Sequence, residues 1–192
     1  MKIALIMLAA GNSWRFGSNK LLYEIEGKPM YWHILEKLLI VAEWLEETCS
    51  KSLECDENRL GELKKEINKQ CKKTIGLSVG SSAKLSYQNN CYKKITVVTQ
   101  YEEIEQAARA LGANVYINPH PDEGISSSLK IGLKANLDAD ACLFTVSDQP
   151  WLTAETIHQL ITLLKISNKG SFSKQVVIIA SSVIIIPRGM VT

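Results

Sequence analysis

The sequence predicts an α/β fold of three layers, with a mostly parallel central sheet between helices. Three observations carry that expectation. Short, continuously apolar runs alternate with segments of helical periodicity. Glycine, proline or polar residues close the runs. The loops at 9–20, 99–101 and 147–150 all follow the strand runs. Strand–helix–strand alternation takes right-handed crossovers, which lay strands parallel and put helices on both faces. Ligands of such sheets sit at the carboxyl ends of the strands.

Residues 2–8 read as the first buried strand, continuously apolar from Ile3 and followed by the glycine-bearing loop. Downstream, Pro29 suits a helix's first turn, and Met30, Ile34, Leu38, Val41 and Leu45 recur at helical spacing. Strand "KITVVTQ" (94–100) precedes helix "EEIEQAARALG", closed by Gly112, and strand "ANVYINP", ended by Pro119. A serine-opened helix "ISSSLKIGLKAN" follows, then strand "ACLFTVSDQP" and helix "TAETIHQLITLLK" with Thr153 as N-cap. Two regions break the rhythm. Residues 48–92 are far longer than an ordinary connection, with an amphipathic pattern at Leu60, Leu63, Ile67 and Cys71 and a polar stretch from Ser78 to Asn90. They are read as an insertion, either a surface excursion or a lobe for docking a partner. The tail, "SKQVVIIASSVIIIPRGMVT", is strand-like and intensely apolar.

The bulk properties bound the function. A chain of 192 residues is expected to form one domain, 1–192, interrupted by the inserted segment at about 48–92. A formal net charge of +2 argues against a nucleic-acid coat, and no stretch is apolar enough to span a bilayer. The N-terminus has the outline of a short leader, yet the loop after it is patterned for chemistry. It is therefore read as a strand, and a cytoplasmic location is expected. Five cysteines, Cys49, Cys55, Cys71, Cys91 and Cys142, show no Cys-x-x-Cys pair and read as reduced thiols. His33, His120 and His158 lack metal-ligand spacing and read as structural or surface residues.

The chemistry concentrates in "LAAGNSWRFGSNKLL", residues 8–22. Gly11 and Gly17 let backbone approach a ligand, and the main-chain N–H groups of such a loop can cradle phosphate. Arg15 offers a planar fork for phosphate and Lys20 a compact positive charge. The spacing matches neither GxxxxGK[ST] nor GxGxxG. At the end of the fourth strand run, Asp148 is suited to Mg²⁺, which binds one or two carboxylates together with phosphates and water. A turn-capping aspartate before Pro150 is the simpler alternative. Ser126, Ser127 and Ser128 are equally readable as helix caps.

Three segments in order extend this to a family resemblance. The string L-A-A-G-x-S-x-R-x-G-x-x-K-L-L, "NPHPDEGISSSLKIGL" (118–133) and "FTVSDQPWLT" (144–153) resemble the MobA-like NTP transferase superfamily, most closely its molybdenum cofactor cytidylyltransferases of the MocA type. The resemblance implies a Rossmann-like nucleotidyltransferase fold. It also implies transfer of CMP from CTP to the terminal phosphate of molybdopterin, with Mg²⁺ as cofactor and release of pyrophosphate. Arg15, Lys20 and Asp148 become the catalytic residues, with Asp148 as metal ligand. Leu8, Ala9, Ala10, Gly11, Arg15, Lys20, Ser126, Ser127 and Ser128 become nucleotide-binding positions, and Thr99 joins them where the second strand run meets its loop. Guanylyl or other nucleotidyl transfer on the same fold is the near alternative. A catalytically impaired nucleotide-binding accessory for a molybdenum hydroxylase apoprotein is the alternative of a different class.

The sequence also departs from the family pattern. Ser147 replaces the glycine usual before Asp148, and the tail after Lys169 contains neither Asp nor Glu where a second acidic ligand is expected. An altered reading frame or a truncated chain would produce such a tail. It is expected to expose apolar surface or pair with another molecule, to lower stability, and to leave one carboxylate holding Mg²⁺ loosely, with weak or absent transfer. Lys20→Ala is expected to weaken nucleotide binding or slow turnover by about 1.5–3 kcal/mol, the loss typical of a charged hydrogen bond. Calorimetry and turnover with CTP check this beside Arg15→Ala, and unchanged affinity and turnover in both variants refute the assignment of Arg15 and Lys20 to the triphosphate.

Overall fold

Strand β1 (Ile3–Ala9) is buried along its whole length because it takes neighbours on both sides and cover on both faces. It pairs in parallel with β4 (Ile95–Thr99) in the register Leu5↔Ile95 to Ala9↔Thr99. On its other side it pairs in parallel with β6 (Ala141–Val146), from Ile3↔Ala141 to Leu8↔Val146. Strand β5 (Asn114–Ile117) extends the sheet beyond β4, again in parallel. The protein is described by a computed structural model covering residues 1–13, 16–50, 65, 95–167, 178–180 and 183–187. Trp14, Arg15 and nearly all of the expected insertion at 48–92 lie outside the described residues.

Alternation along β1 sorts the core into two. Ile3, Leu5, Met7 and Ala9 face α1 (Met30–Ser50), α2 (Glu102–Ala110) and α4 (Ala154–Ser167). Ala4, Ile6 and Leu8 face the opposite side, where Leu129, Ile131 and Leu133 of α3 (Ile125–Lys134) pack. The result is the expected three-layer α/β arrangement. Gly112 leaves α2 at φ +81°, and the Thr153 hydroxyl accepts from Thr156 N at 3.1 Å as the N-cap of α4.

Two local expectations are corrected. Pro29 does not open the helix; it ends a small hairpin, β2 (Glu24–Ile25) with β3 (Lys28–Pro29), joined by Glu26 and Gly27. Both central residues have positive φ, 51° and 75°, the backbone twist favoured in two-residue hairpins. His33 of α1 hydrogen-bonds through Nε2 to the Ile25 carbonyl at 2.9 Å and ties the hairpin to the helix.

The tail is the second correction. Val183–Pro187 forms β8, antiparallel to β6, and Ile178–Ala180 forms β7, antiparallel to β8. Ile185 is fully buried in the core of α1 and α4, while Ile184 and Ile186 pack against the core of α3. Among the described residues, β8 is therefore a strand packed on both faces within the same sheet, rather than an exposed surface. The six strands run in the order β5-β4-β1-β6-β8-β7.

Helix α3 approaches the sheet closely at Gly132. A Cβ there would lie 2.9 Å from Phe144 Cε1 and 3.0 Å from Ile6 Cγ2, both in the core. Gly132→Ala is expected to lose about 1–2 kcal/mol of stability. Overpacking of about 1–3 kcal/mol outweighs alanine's helix preference of up to about 1 kcal/mol. Urea unfolding measures it, and a stabilised variant would contradict the close contact.

Candidate functional site

The chain leaves β1 toward β4 on one side, and returns from β5 to β6 on the other, so the order in which strands are added reverses between the parallel strands β1 and β6. Two adjacent strands whose loops diverge leave a crevice at their carboxyl ends. A cavity of about 610 Å³ occupies that position. Leu8, Ala10, Leu21, Val146 and Ile125 supply its apolar lining, and Asn12, Lys20, Asp122, Ser128, Ser147 and Asp148 its polar groups. A mostly apolar concavity with a few convergent polar groups is the usual form of a small-molecule site.

The first loop is braced from the strand next door. Gln100 Nε2 donates to the Ala10 carbonyl at 2.9 Å and to Asn12 Oδ1 at 2.7 Å. The Tyr101 hydroxyl donates to the Gly11 carbonyl at 2.9 Å. Burial pushes this phenol above its ordinary pKa, a hydrogen bond with Ser13 opposing, so it stays a donor at neutral pH. Further along, Lys20 N donates to Ser13 Oγ at 3.1 Å, and Asn19 Oδ1 accepts from Leu21 N at 3.0 Å as the chain makes a single helical turn over 20–22. Gly17 needs its glycine, at φ +73°. Gly11 lines the cavity, and a Cβ on it would meet no atom of the described residues within 4 Å.

The second loop brings the opposite charge. Lys20 Nζ donates to Asp148 Oδ2 at 2.7 Å, with the side chains 36% and 35% exposed. Residues 128 positions apart thus meet across the mouth of the cavity. The base of this contact is rigid, because Ser147 donates both its N–H (3.1 Å) and its hydroxyl (2.9 Å) to the Leu8 carbonyl. A serine at this position therefore ties the end of β6 to β1.

The third wall is the start of α3. Gly124 turns the chain into the helix at φ +81°. Buried Asn118 donates through Nδ2 to Ser127 Oγ at 2.8 Å and Ser128 Oγ at 2.9 Å, while its Oδ1 accepts from His120 N. Among the described residues no three His, Cys, Asp or Glu side chains gather as a metal-holding group. Cys142 is buried and its thiol is pushed up to about 11, chiefly by desolvation. His158 stacks edge-on against Trp44 at 5.4 Å.

Leu8, Ala10, Gly11, Lys20, Ser128 and Asp148 thus converge on one cavity. Ala9 and Thr99 lie behind it, fully buried. The Thr99 hydroxyl donates to the Ala9 carbonyl at 3.0 Å and accepts from Tyr101 N at 3.0 Å, so it serves as a brace between strands. Ser127 is likewise engaged, with the His120 and Gly124 carbonyls as its acceptors at 2.9 and 3.0 Å. Ser126 is exposed, donates to the Glu123 carbonyl at 3.2 Å and is not itself among the residues that line the cavity. Arg15 lies outside the described residues. Sequence reasoning missed Asn12, Asp122, Gln100 and Asn118. Asn118 and Asp122 fall inside the segment 118–133 that carries the resemblance, and that was the signal available for them.

Comparison with known proteins bears on this geometry. The family profile described as the MobA-like NTP transferase domain matches residues 5–46 and 68–182. The chain is 50% identical over 38 residues to a probable molybdenum cofactor guanylyltransferase of Pyrococcus horikoshii, a stretch that is 20% of each protein. A protein of the same description from Thermococcus sibiricus is 53% identical over 34 residues, 18% of this chain and 17% of that one. The matched stretch thus spans about a fifth of either relative. The crystal structure of 4-diphosphocytidyl-2C-methyl-D-erythritol synthase from Anaerococcus prevotii is similar in fold, with a TM-score of 0.52 and 13% identity over 98% of this chain and 72% of that one.

Because the Lys20–Asp148 pair is half exposed, Asp148→Asn is expected to change stability by no more than about 1 kcal/mol. Affinity for a nucleoside triphosphate in Mg²⁺ should nevertheless fall, since the amide keeps the shape and loses the charge. Thermal unfolding beside calorimetry separates the two, and unaltered Mg²⁺-dependent binding would reduce Asp148 to a turn residue.

Proposed function

The chain belongs to the MobA-like NTP transferase family, and from that premise we propose that it transfers a nucleoside monophosphate from a nucleoside triphosphate to the terminal phosphate of molybdopterin. The observation that carries the reading is the meeting of Lys20 and Asp148 at a cavity placed where the strand order reverses. In the reaction an acceptor phosphate oxygen bonds to the α-phosphorus. The bond from that phosphorus to the bridging oxygen breaks, and its electron pair leaves with pyrophosphate. Little covalent chemistry is asked of the protein; positioning and charge are.

Lys20 is suited to the leaving pyrophosphate, whose negative charge grows as the bond breaks. Its ammonium needs only to exchange the Asp148 carboxylate for phosphate oxygens. Arg15, on the same loop, would add a bidentate partner. The Gly11 backbone, with no side chain in the way, allows the nucleotide to lie against the end of β1. Asp148 fits Mg²⁺ by its chemistry: a half-exposed carboxylate, hard in its oxygen donors, at the edge of a cavity that Asp122 also lines. When bound, the ion would supply neutralisation of phosphate charge. Asp122 also provides a carboxylate to the cavity lining, whereas the sequence after Lys169 contains no Asp or Glu.

For the base, the opening loop supports CTP through its resemblance to the MocA type, and GTP is favoured by the similarity to the probable guanylyltransferases of Pyrococcus horikoshii and Thermococcus sibiricus. Titration with CTP, GTP, ATP and UTP in Mg²⁺ decides between them, followed by pyrophosphate release with molybdopterin. One of the first two is expected to bind at least tenfold more tightly than the rest, a difference of about 1.4 kcal/mol. Absence of binding by all four would refute the reading.

A further inference from the structure

We propose that Lys37 of α1 is a positioning residue for Asp148, holding the turn that presents the Asp148 carboxylate to the cavity by donating to the Pro150 carbonyl. The proposal rests on the reading of Asp148 as the carboxylate of the metal and phosphate site. It concerns a residue that neither lines the cavity nor belongs to any of the segments that carry the family resemblance.

The segment from 147 to 153 joins β6 to α4, and Asp148 lies between two fixed points within it. The near point is Ser147, whose N–H and hydroxyl both donate to the Leu8 carbonyl. The far point is Pro150, buried, whose carbonyl accepts from Lys37 Nζ. Between them, Leu152 N donates to the Gln149 carbonyl at 3.1 Å and closes the turn. A buried carbonyl must find a donor, and proline brings no N–H of its own to pair elsewhere. The sheet therefore anchors one side of Asp148, and helix α1 the other.

The choice of lysine is informative. Residue 37 is half-buried, and Leu38, Leu39, Ile40 and Val41 immediately after it are all core. An ammonium in this place is disfavoured, and desolvation lowers its pKa, with Lys28 acting in the same direction and Glu36, Glu155 and Glu26 opposing. Glu36 is already engaged by Lys28 Nζ at 2.8 Å. The Lys37 head group is directed instead to the turn two residues beyond Asp148. A shift of that turn by an ångström would displace the carboxylate from a bound cation without disturbing the remainder of the cavity.

The test measures Mn²⁺ binding by electron paramagnetic resonance in the presence of CTP and, separately, GTP, for the full chain and its Lys37→Met and Lys37→Arg variants. Metal-free nucleotide affinity and melting temperature are measured alongside. Lys37→Met is expected to weaken Mn²⁺ binding about tenfold, the lower end for residues that orient a metal ligand. Metal-free nucleotide affinity should hold, and Lys37→Arg, which keeps a charged donor, should restore the metal. If Lys37→Met fails to fold, Lys37→Gln is read in its place with the same expectation. Wild-type Mn²⁺ affinity in the Met or Gln variant, loss of metal-free nucleotide affinity in parallel with Mn²⁺, or no restoration by arginine would each overturn the proposal alone. A wild-type chain that takes up no Mn²⁺ with either nucleotide would overturn the functional reading and the proposal with it.

Discussion

Parallel pairing of β1 with β6 is the constraint on which the site depends. In the register Leu8↔Val146 the two strands end side by side, so the loop after one starts against the loop after the other. Lys20 and Asp148 can then meet at 2.7 Å although most of the chain separates them. A slip of one residue would turn Ile6 and Phe144 from one core to the other, because side chains alternate along a strand. Both cores are filled, and the register is held by the apolar surface on either side.

Around this pairing the polar side chains divide into two groups. Thr99, Gln100, Asn118, Ser127 and Ser147 direct their hydrogen bonds to carbonyls and hydroxyls of the neighbouring strand, helix and loops. Lys20, Asp122 and Asp148 keep charged groups on the cavity lining. The first group makes the second useful. A buried polar group without a partner costs stability, so a braced loop holds its shape before any ligand arrives. A charged pair set in such loops can exchange partners with little rearrangement of backbone.

The edge of the sheet matters as well. β8 covers the free side of β6 in an antiparallel pairing that brings Ile184, Ile185 and Ile186 into both cores. The strand that carries Asp148 at its end is therefore flanked on both sides, by β1 and by β8. Closure of this side stiffens the base from which the 147–153 turn projects.

Much of the architecture was legible from periodicity alone. The strands Ile3–Ala9, Ile95–Thr99 and Ala141–Val146 and the helices after them announce themselves by apolar runs and helical repeats, since burial acts on each segment separately. Gly11, Lys20 and Asp148 were legible as candidates, because their residue types suit phosphate and metal chemistry wherever they meet. The hairpin at 24–29 was not, because Pro29 satisfies the rule for a helix start and only pairing with Glu24 makes it a strand end. Nor could sequence show that Thr99 and Ser127 turn inward as braces, or that the tail joins the sheet beside β6. Composition and spacing determined which segments are buried and which residues have the right chemistry. The tertiary structure alone decided which of those residues share one cavity. Partners for a hydroxyl, a carboxylate or a strand edge are supplied by chain distant in sequence, and local pattern carries no record of them.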